Sequence, residues 1–227
     1  YGFSSQADIG AKNVKSNETE TTYTLYQNNQ KCGKVTLQVP GKHNVLNSLA
    51  AATIGFQMGL DAKTIIAGLG SYGGVRRRFE IKGIAQNIMV VDDYAHHPTE
   101  VAATLQAARD GWKRRIIAVF QPHLYSRTKA FYKEFAASFM DSDILIVTDV
   151  YPAREKPIKG VNGKLVFDAA KFAGHKQAHY VPELDDLQDV LDRIVTDNDM
   201  VITLGAGTIW RYGQSYFDHL NSQEAAA

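Results

Sequence analysis

One cysteine, Cys32, in 227 residues leaves nothing for an internal disulfide to join. Packing, hydrogen bonds and ion pairs must hold the fold, and a reducing, cytoplasmic location is the expectation. An excess of charge of either sign is also missing. Twenty-five Lys and Arg oppose 24 Asp and Glu, a net charge of +1. No overall basic field is available for nucleic acid or a membrane surface, and neither is expected as a partner. Long apolar runs are absent too. The longest candidate, Val45 to Leu60, is interrupted by Asn47, Ser48, Thr53, Gly55 and Gln57 and falls short of a membrane span. The chain opens on Tyr1 with neither an initiator Met nor a secretory signal, as a fragment of a longer protein would. The end, Asn221 to Ala227, is small and polar and is expected to fray. What remains is ordinary for a soluble globular chain: 44% hydrophobic and 22% charged residues, with length enough for a core and for two domains.

Residues 1 to 40 carry alternating patterns at Ile9–Val14, Thr21–Tyr26 and Lys34–Val39. The last two are separated by the turn-rich Gln27-Asn28-Asn29-Gln30, which suggests a hairpin or meander. After Pro40-Gly41 the period becomes helical through about Gly59, with Leu46, Leu49, Ala50, Thr53 and Phe56 facing a core. The other face is small and polar: Asn44, Asn47, Ser48, Ala51 and Gly55. Two amides one turn apart offer donor and acceptor together, as the edge of a purine requires. Asn44 read as a plain helix cap is the competing account. Asp61 caps a short helix to Leu69. Gly70-Ser71-Tyr72-Gly73-Gly74 then breaks the chain before Arg76-Arg77-Arg78, where a domain boundary is expected. These arginines are either a solvated charge run or a phosphate clamp.

From Phe79 onward strands and helices alternate. Phe79–Ile84 and Asn87–Val91 read as a strand pair, followed by strands at Arg115–Phe120, Asp143–Val147, Ala178–Val181 and Met200–Leu204. Helices lie between them, including one over Pro182–Val195 and a terminal one to about His219. The rhythm predicts an α/β fold with a doubly wound, mostly parallel sheet. One stretch stands out, Val90 to Glu100. It places Asp92, Asp93, Tyr94, His96 and His97 between a buried strand and a helix started by Pro98, where open α/β sheets bind ligands. The plainer account has an Asp holding the turn and His97 capping the helix. A divalent-metal site on Asp92, Asp93, His96 and His97, of the kind a hydrolase uses, is a third account. No further ligand cluster of recognisable spacing supports it, and no metal ligand is assigned. Gln121–Arg127 and Asp149–Glu155 are two more polar strand-end loops, and parallel topology would gather all three on one rim. Gly205-Ala206-Gly207 either forms an amide nest for an anion or lets a helix start close to its strand.

Gly41-Lys42-His43-Asn44-Val45-Leu46-Asn47, Gly74 to Glu80, Asp92 to Glu100, Phe120-Gln121-Pro122-His123 with Arg127-Thr128, Asp149 to Glu155, and Gly205-Ala206-Gly207 together resemble the Mur ligases, ATP-dependent amide ligases of peptidoglycan precursor synthesis. The resemblance implies that residues 79–227 are a Rossmann-like C-terminal ligase domain and residues 1–78 the C-terminal portion of a central ATP-binding domain. It further implies ligation of L-alanine to UDP-N-acetylmuramate through an acyl phosphate, with ATP and Mg2+. A tripeptide-adding relative is the alternative. By position, Asn44 and Asn47 match residues that hold adenine, which reverses the plain helix-cap account. Arg78 matches an arginine that reaches the nucleotide across the domain junction, and Asp93 a ribose-binding aspartate with Tyr94 nearby. His96, His123 and Arg127 match the wall where amino acid and muramoyl carboxyl meet. On this basis Arg127 binds a carboxylate and His96 orients the incoming group. Leu124 departs from an arginine frequent in relatives. No G-x-x-x-x-G-K-[ST] phosphate loop occurs, so the chain alone is expected not to turn over ATP.

Overall fold

The computed structural model describes residues 1–226, Ala226 by its backbone alone. The chain forms two compact units. The first comprises Tyr1–Val75 and Gln106–Trp112; the second comprises Arg76–Leu105 and the chain from Lys113 on.

In the first unit β1 (Ile9–Asn17), β2 (Glu20–Gln27) and β3 (Gln30–Leu37) form an antiparallel meander. Asn28 and Asn29 make the tight turn, both at positive φ (47° and 64°), a conformation asparagine tolerates. Alternation puts Tyr23, Leu25, Val35 and Leu37 inside, against α1 (Lys42–Gln57). The buried face of α1 is turned from the expected one: Val45, Ser48, Leu49, Ala52 and Gly55 are inside, and Leu46 is 37% exposed. Small residues decide this. A Cβ on Gly55 would come within 3.0 Å of Ile65, so the small face is the one α2 (Ala62–Gly70) can approach. Ser48 donates to Val45 O (2.7 Å) and is 2.8 Å from the Tyr23 hydroxyl, which therefore donates to it. Asp61 caps α2 by accepting from Thr64 N at 2.7 Å.

The second unit is built on a six-stranded sheet in the order β4-β5-β9-β6-β7-β8. The strands are β4 (Glu80–Ala85), β5 (Ile88–Asp93), β6 (Arg115–Phe120), β7 (Ile144–Thr148), β8 (Ala178–Val181) and β9 (Asp199–Leu204). Only β4 runs antiparallel to its neighbour. β5, β7 and β9 are buried at every residue, as strands covered on both faces must be. The connecting helices are α3 (Pro98–Gly111), whose residues from Gln106 on count with the first unit, α4 (Tyr125–Ser138), α5 (Gly163–Phe172), α6 (Leu187–Ile194) and α7 (Ile209–Ala226). The helix expected from Pro182 starts as a separate 3-10 turn at Leu184–Asp186. The last helix does not stop at His219: Leu220 is buried and its carbonyl accepts from Gln86 Nε2 at 2.9 Å, which binds the helix beyond that point. No described helix is long and apolar enough to cross a membrane.

Because β9 inserts between β5 and β6, the loops after β5, β9, β6 and β7 line one edge in that order. Gly205 N donates to Asp93 O and Gln121 N to Leu204 O, continuing the ladder into the loops. Beneath them lies a buried charge. Asp92 has no solvent exposure and takes Arg77 Nε at 3.0 Å and Thr203 Oγ1 at 2.8 Å. Arg77 Nη2 also donates to Gly205 O at 2.7 Å. One guanidinium thus ties β4's approach to the ends of β5 and β9.

Two outcomes follow from this packing. Arg77→Met leaves a carboxylate buried without its counter-charge and should lower unfolding free energy by about 3–5 kcal/mol in chemical denaturation; a loss near zero would show Asp92 to be compensated elsewhere. His175 is 7% exposed. Its Nε2 donates to Ser142 Oγ (3.1 Å), whose own proton goes to Phe139 O, and its Nδ1 has no partner. Burial holds this imidazole below its ordinary pKa. Between the depressed folded value and the ordinary one near 6.5 only the unfolded chain takes the proton. Stability should therefore fall as pH drops below about 6.5, and His175→Leu should flatten that slope in pH-resolved denaturation.

Candidate active site

Four side chains of the β5 loop have distinct tasks. Asp93 is 5% exposed. Its Oδ2 accepts from Phe79 N (2.9 Å) and Thr104 Oγ1 (3.1 Å), and its Oδ1 from Ala95 N (2.8 Å). Of roughly four acceptor positions on a carboxylate, these bonds take three. Burial pushes its pKa up, against the pull of those donors and of Arg78. Tyr94 N donates to Arg77 O at 2.7 Å. The Tyr94 ring has the guanidinium carbons of Arg77 and Arg78 at 4.8 and 5.8 Å from its centroid. His97 takes the plainer of its two roles: its carbonyl accepts from Val101 N, and its Nδ1 from Thr99 N at 3.4 Å. His96 stands apart, with Nδ1 2.9 Å from Tyr94 O.

Glu100, one turn into α3, holds this loop. Its Oε2 accepts from His96 N (3.0 Å) and His97 N (3.2 Å) and lies 3.3 Å from His96 Nδ1. Its Oε1 lies 3.7 Å from Arg78 Nη1. Burial raises its pKa, but the His96 N–H and the charges of His96 and Arg78 outweigh burial and bring it below its usual value. Arg78 itself is half exposed, while its neighbour Arg77 is turned inward.

The β6 loop starts α4 without a capping side chain of its own. Leu124 occupies the cap position at φ 72°, a left-handed conformation uncommon for leucine. Glu155 from the β7 loop does the capping: its carboxylate accepts from Ser126 N at 2.9 Å and from Ser126 Oγ. The two loops are also joined by backbone, with Tyr151 N donating to Pro122 O (2.8 Å) and Leu124 N to Tyr151 O (3.0 Å). The result brings His123 to the others. Its ring centroid is 5.9 Å from that of His96, and its Nδ1 is 3.4 Å from Arg127 Nη1. Burial, with the charges of Arg127 and His96, depresses the His123 pKa, Glu155 pulling weakly the other way. His96, His123 and Arg127, which are 31 residues apart in sequence at their extremes, thus form one cluster.

Two residues of this edge escaped the sequence. Arg77 reads as one of a charge run, yet it is the partner of a buried aspartate. A fully buried Asp at a strand end demands a cation, and that demand was the available signal. Tyr151 reads as part of a polar loop, yet its ring stacks on His123 at 5.8 Å and 13°. Sequence holds no signal for a contact between two loops.

In the first unit the two asparagines lie on a cavity of about 530 Å3 between α1 and α2, lined also by Ser48, Ala51, Ile65, Leu69 and Tyr72. Asn44 Nδ2 donates to Pro40 O (2.8 Å) and Asn47 Nδ2 to Asn44 Oδ1 (3.3 Å). Each amide carries a second N–H for a ligand. Among the described residues no three His, Cys, Asp or Glu side chains gather to hold a metal. Asp92 and Asp93 spend their carboxylates on protein donors, and His97 caps a helix. The geometry therefore gives no support to a hydrolase metal site on that loop.

Residues 77–207 match the Mur ligase glutamate ligase domain and residues 1–55 the Mur ligase middle domain. The UDP-N-acetylmuramate–L-alanine ligase of Salinibacter ruber is 46% identical over 100% of this chain and 48% of its own length. The enzyme of the same name from Geotalea uraniireducens is 45% identical over 97% of this chain and 48% of its own. The chain thus spans about half the length of the curated relatives it matches. Among solved structures, the UDP-N-acetylmuramate–alanine ligase of Thermotoga maritima superposes with a TM-score of 0.82 at 29% identity, over 97% of this chain and 47% of that one. A murein peptide ligase from Psychrobacter arcticus shares the fold, with a TM-score of 0.65 at 23% identity. With its parallel sheet, its polar strand-end loops and these matches over both units, the chain belongs to the Mur ligase family.

Proposed function

We propose that the chain supplies the amino-acid end and the adenosine end of an ATP-dependent ligase that joins L-alanine to the lactyl carboxylate of UDP-N-acetylmuramate. A free cysteine and balanced charge suit the cytoplasm for it, with no nucleic acid or membrane as partner. The observation that carries this reading is the cluster of His96, His123 and Arg127 at the ends of parallel strands. A carboxylate is a poor acylating agent because its oxygen does not leave. ATP supplies what is missing by converting the carboxylate to an acyl phosphate, a mixed anhydride whose phosphate can leave. Arg127 has the fork that matches a carboxylate and binds one. His96 orients the incoming amine beside it, and His123 lines the same wall. Proximity of this kind replaces the entropy cost of a bimolecular encounter.

On the nucleotide side, Asn44 and Asn47 have the donor and acceptor pattern of a purine edge. Arg78 is half exposed and is proposed to reach the phosphates or ribose, with Tyr94 beside it. For Asp93 the proposal is narrower than a sequence motif suggests: three of its acceptor positions serve the loop, so one oxygen lone pair on Oδ1 is left for a ribose hydroxyl. Magnesium belongs to phosphoryl transfer in general, where one or two carboxylates and the nucleotide phosphates hold it; among the described residues no three His, Cys, Asp or Glu side chains gather around a cation.

Three measurements test the reading. The ligase containing this chain should join L-alanine to the sugar nucleotide far faster than it joins a tripeptide; the reverse preference would assign it to the recycling branch. Arg127→Met should raise KM for the carboxylate substrate by about 10- to 100-fold, the worth of a hydrogen bond to a charged group. ATP binding to this chain, followed calorimetrically, should weaken about fivefold in Asn44→Ala, one neutral hydrogen bond's worth; the chain by itself should show no ligation.

A further inference from the structure

The cluster contains two imidazoles whose hydrogen-bond partners are chemically unequal. Tyr94 O is a carbonyl and can only accept. At 2.9 Å it requires a proton on His96 Nδ1, so neutral His96 has its lone pair on Nε2. Arg127 is a guanidinium and can only donate. At 3.4 Å its Nη1 requires a lone pair on His123 Nδ1, so neutral His123 carries its proton on Nε2. Two rings 5.9 Å apart are therefore held in opposite tautomers.

The plane of the second ring has its own support. Tyr151 lies parallel to it, with ring centroids 5.8 Å apart. Backbone bonds on both sides of Tyr151, to Pro122 O and from Leu124 N, fix where that ring sits. Gly207 leaves room for Tyr151: a Cβ there would fall 2.7 Å from Tyr151 Cγ and also meet Gln121 Oε1. That same Oε1 accepts from Ile209 N at the start of α7. Crowding thus requires glycine at 207.

We infer that His96 and His123 divide the acyl-transfer step between them, His96 Nε2 accepting a proton from the incoming ammonium and His123 Nε2–H donating to the oxygen that becomes negative, with Tyr151 as the positioning residue for His123. This rests on the ligase reading above. The ammonium first gives one proton to His96 Nε2, and the neutral amine it leaves forms the bond to the acyl carbon. The carbonyl electrons move to the oxygen facing His123. They return as the C–O bond to phosphate breaks, and inorganic phosphate leaves with that electron pair and takes up the second proton of the nitrogen. Neutral His123 suits a donor beside a cation, since Arg127 and burial both oppose a second charge there.

The test begins on this chain, without substrate. Long-range 15N–1H NMR at pH 8, above the ordinary imidazole range near 6.5, should report Nδ1–H for His96 and Nε2–H for His123; a shared tautomer would overturn the inference. Tyr151→Leu should remove the upfield ring-current shift of the His123 protons and blur its tautomer. Tyr151→Phe should keep both. Unmoved His175 signals, far along the chain in the same unit, certify folding, and unmoved His123 signals in Tyr151→Leu would refute the positioning role. In the ligase containing this chain, Gln offers an amide N–H near the place of Nε2. His123→Gln should therefore retain kcat within about tenfold, while His96→Gln, unable to take up a proton, should lose on the order of a hundredfold. The opposite ranking sinks the division of labour. If the unaltered ligase does not join alanine at all, the ligase reading fails, while the NMR tautomers stand or fall separately.

Discussion

The loop edge of the second unit depends on one buried ion pair. Asp92 sits with no solvent exposure at the end of β5, where an unpaired carboxylate would cost several kcal/mol. Arg77 meets it and at the same time takes the carbonyl of Gly205 at the end of β9. The pair crosses two neighbouring parallel strands and fixes where their loops begin. The backbone of Arg77 then receives the Tyr94 N–H, and its guanidinium lies under the Tyr94 ring. Such an interaction adds little net stability against an apolar substitute. Its value is geometric: the loop that carries His96 has one arrangement.

A similar economy runs through the other loops. Each lacks something that its neighbour supplies. The β6 loop has a leucine where α4 wants a cap, and Glu155 of the β7 loop caps it. α7 takes its first buried N–H bond from Gln121 of the β6 loop. His123 takes its plane from Tyr151 of the β7 loop. The four loops therefore form one connected surface of backbone and side-chain bonds. Rigid placement of this kind is what the roles proposed for the two imidazoles and the guanidinium require.

Much of the scaffold was legible in the residues. The apolar β-branched runs at 88–91, 115–120, 144–147 and 200–204 are strands because a strand buried on both faces cannot afford polar side chains. Pro98 and Asp61 mark helix starts for reasons local to themselves. The gathering of Asp92–His97, Gln121–Arg127 and Asp149–Glu155 on one edge followed from parallel topology alone. The errors came where packing chose between near-equal options. Leu46 lost its place in the core because the glycine and serine face of α1 lets α2 come closer. The terminal helix continued past a polar composition because Leu220 found a buried seat.

By itself the sequence determined element types, their order and the residue chemistry brought to the strand ends, since period, caps and strand burial are local properties. Tertiary structure alone decided which arginine of three turns inward, that Asp93 spends most of its carboxylate on the loop, and which partner each imidazole Nδ1 faces. Those outcomes depend on partners dozens of residues away in the chain. A hydrogen bond's direction is settled only when both of its ends are in place.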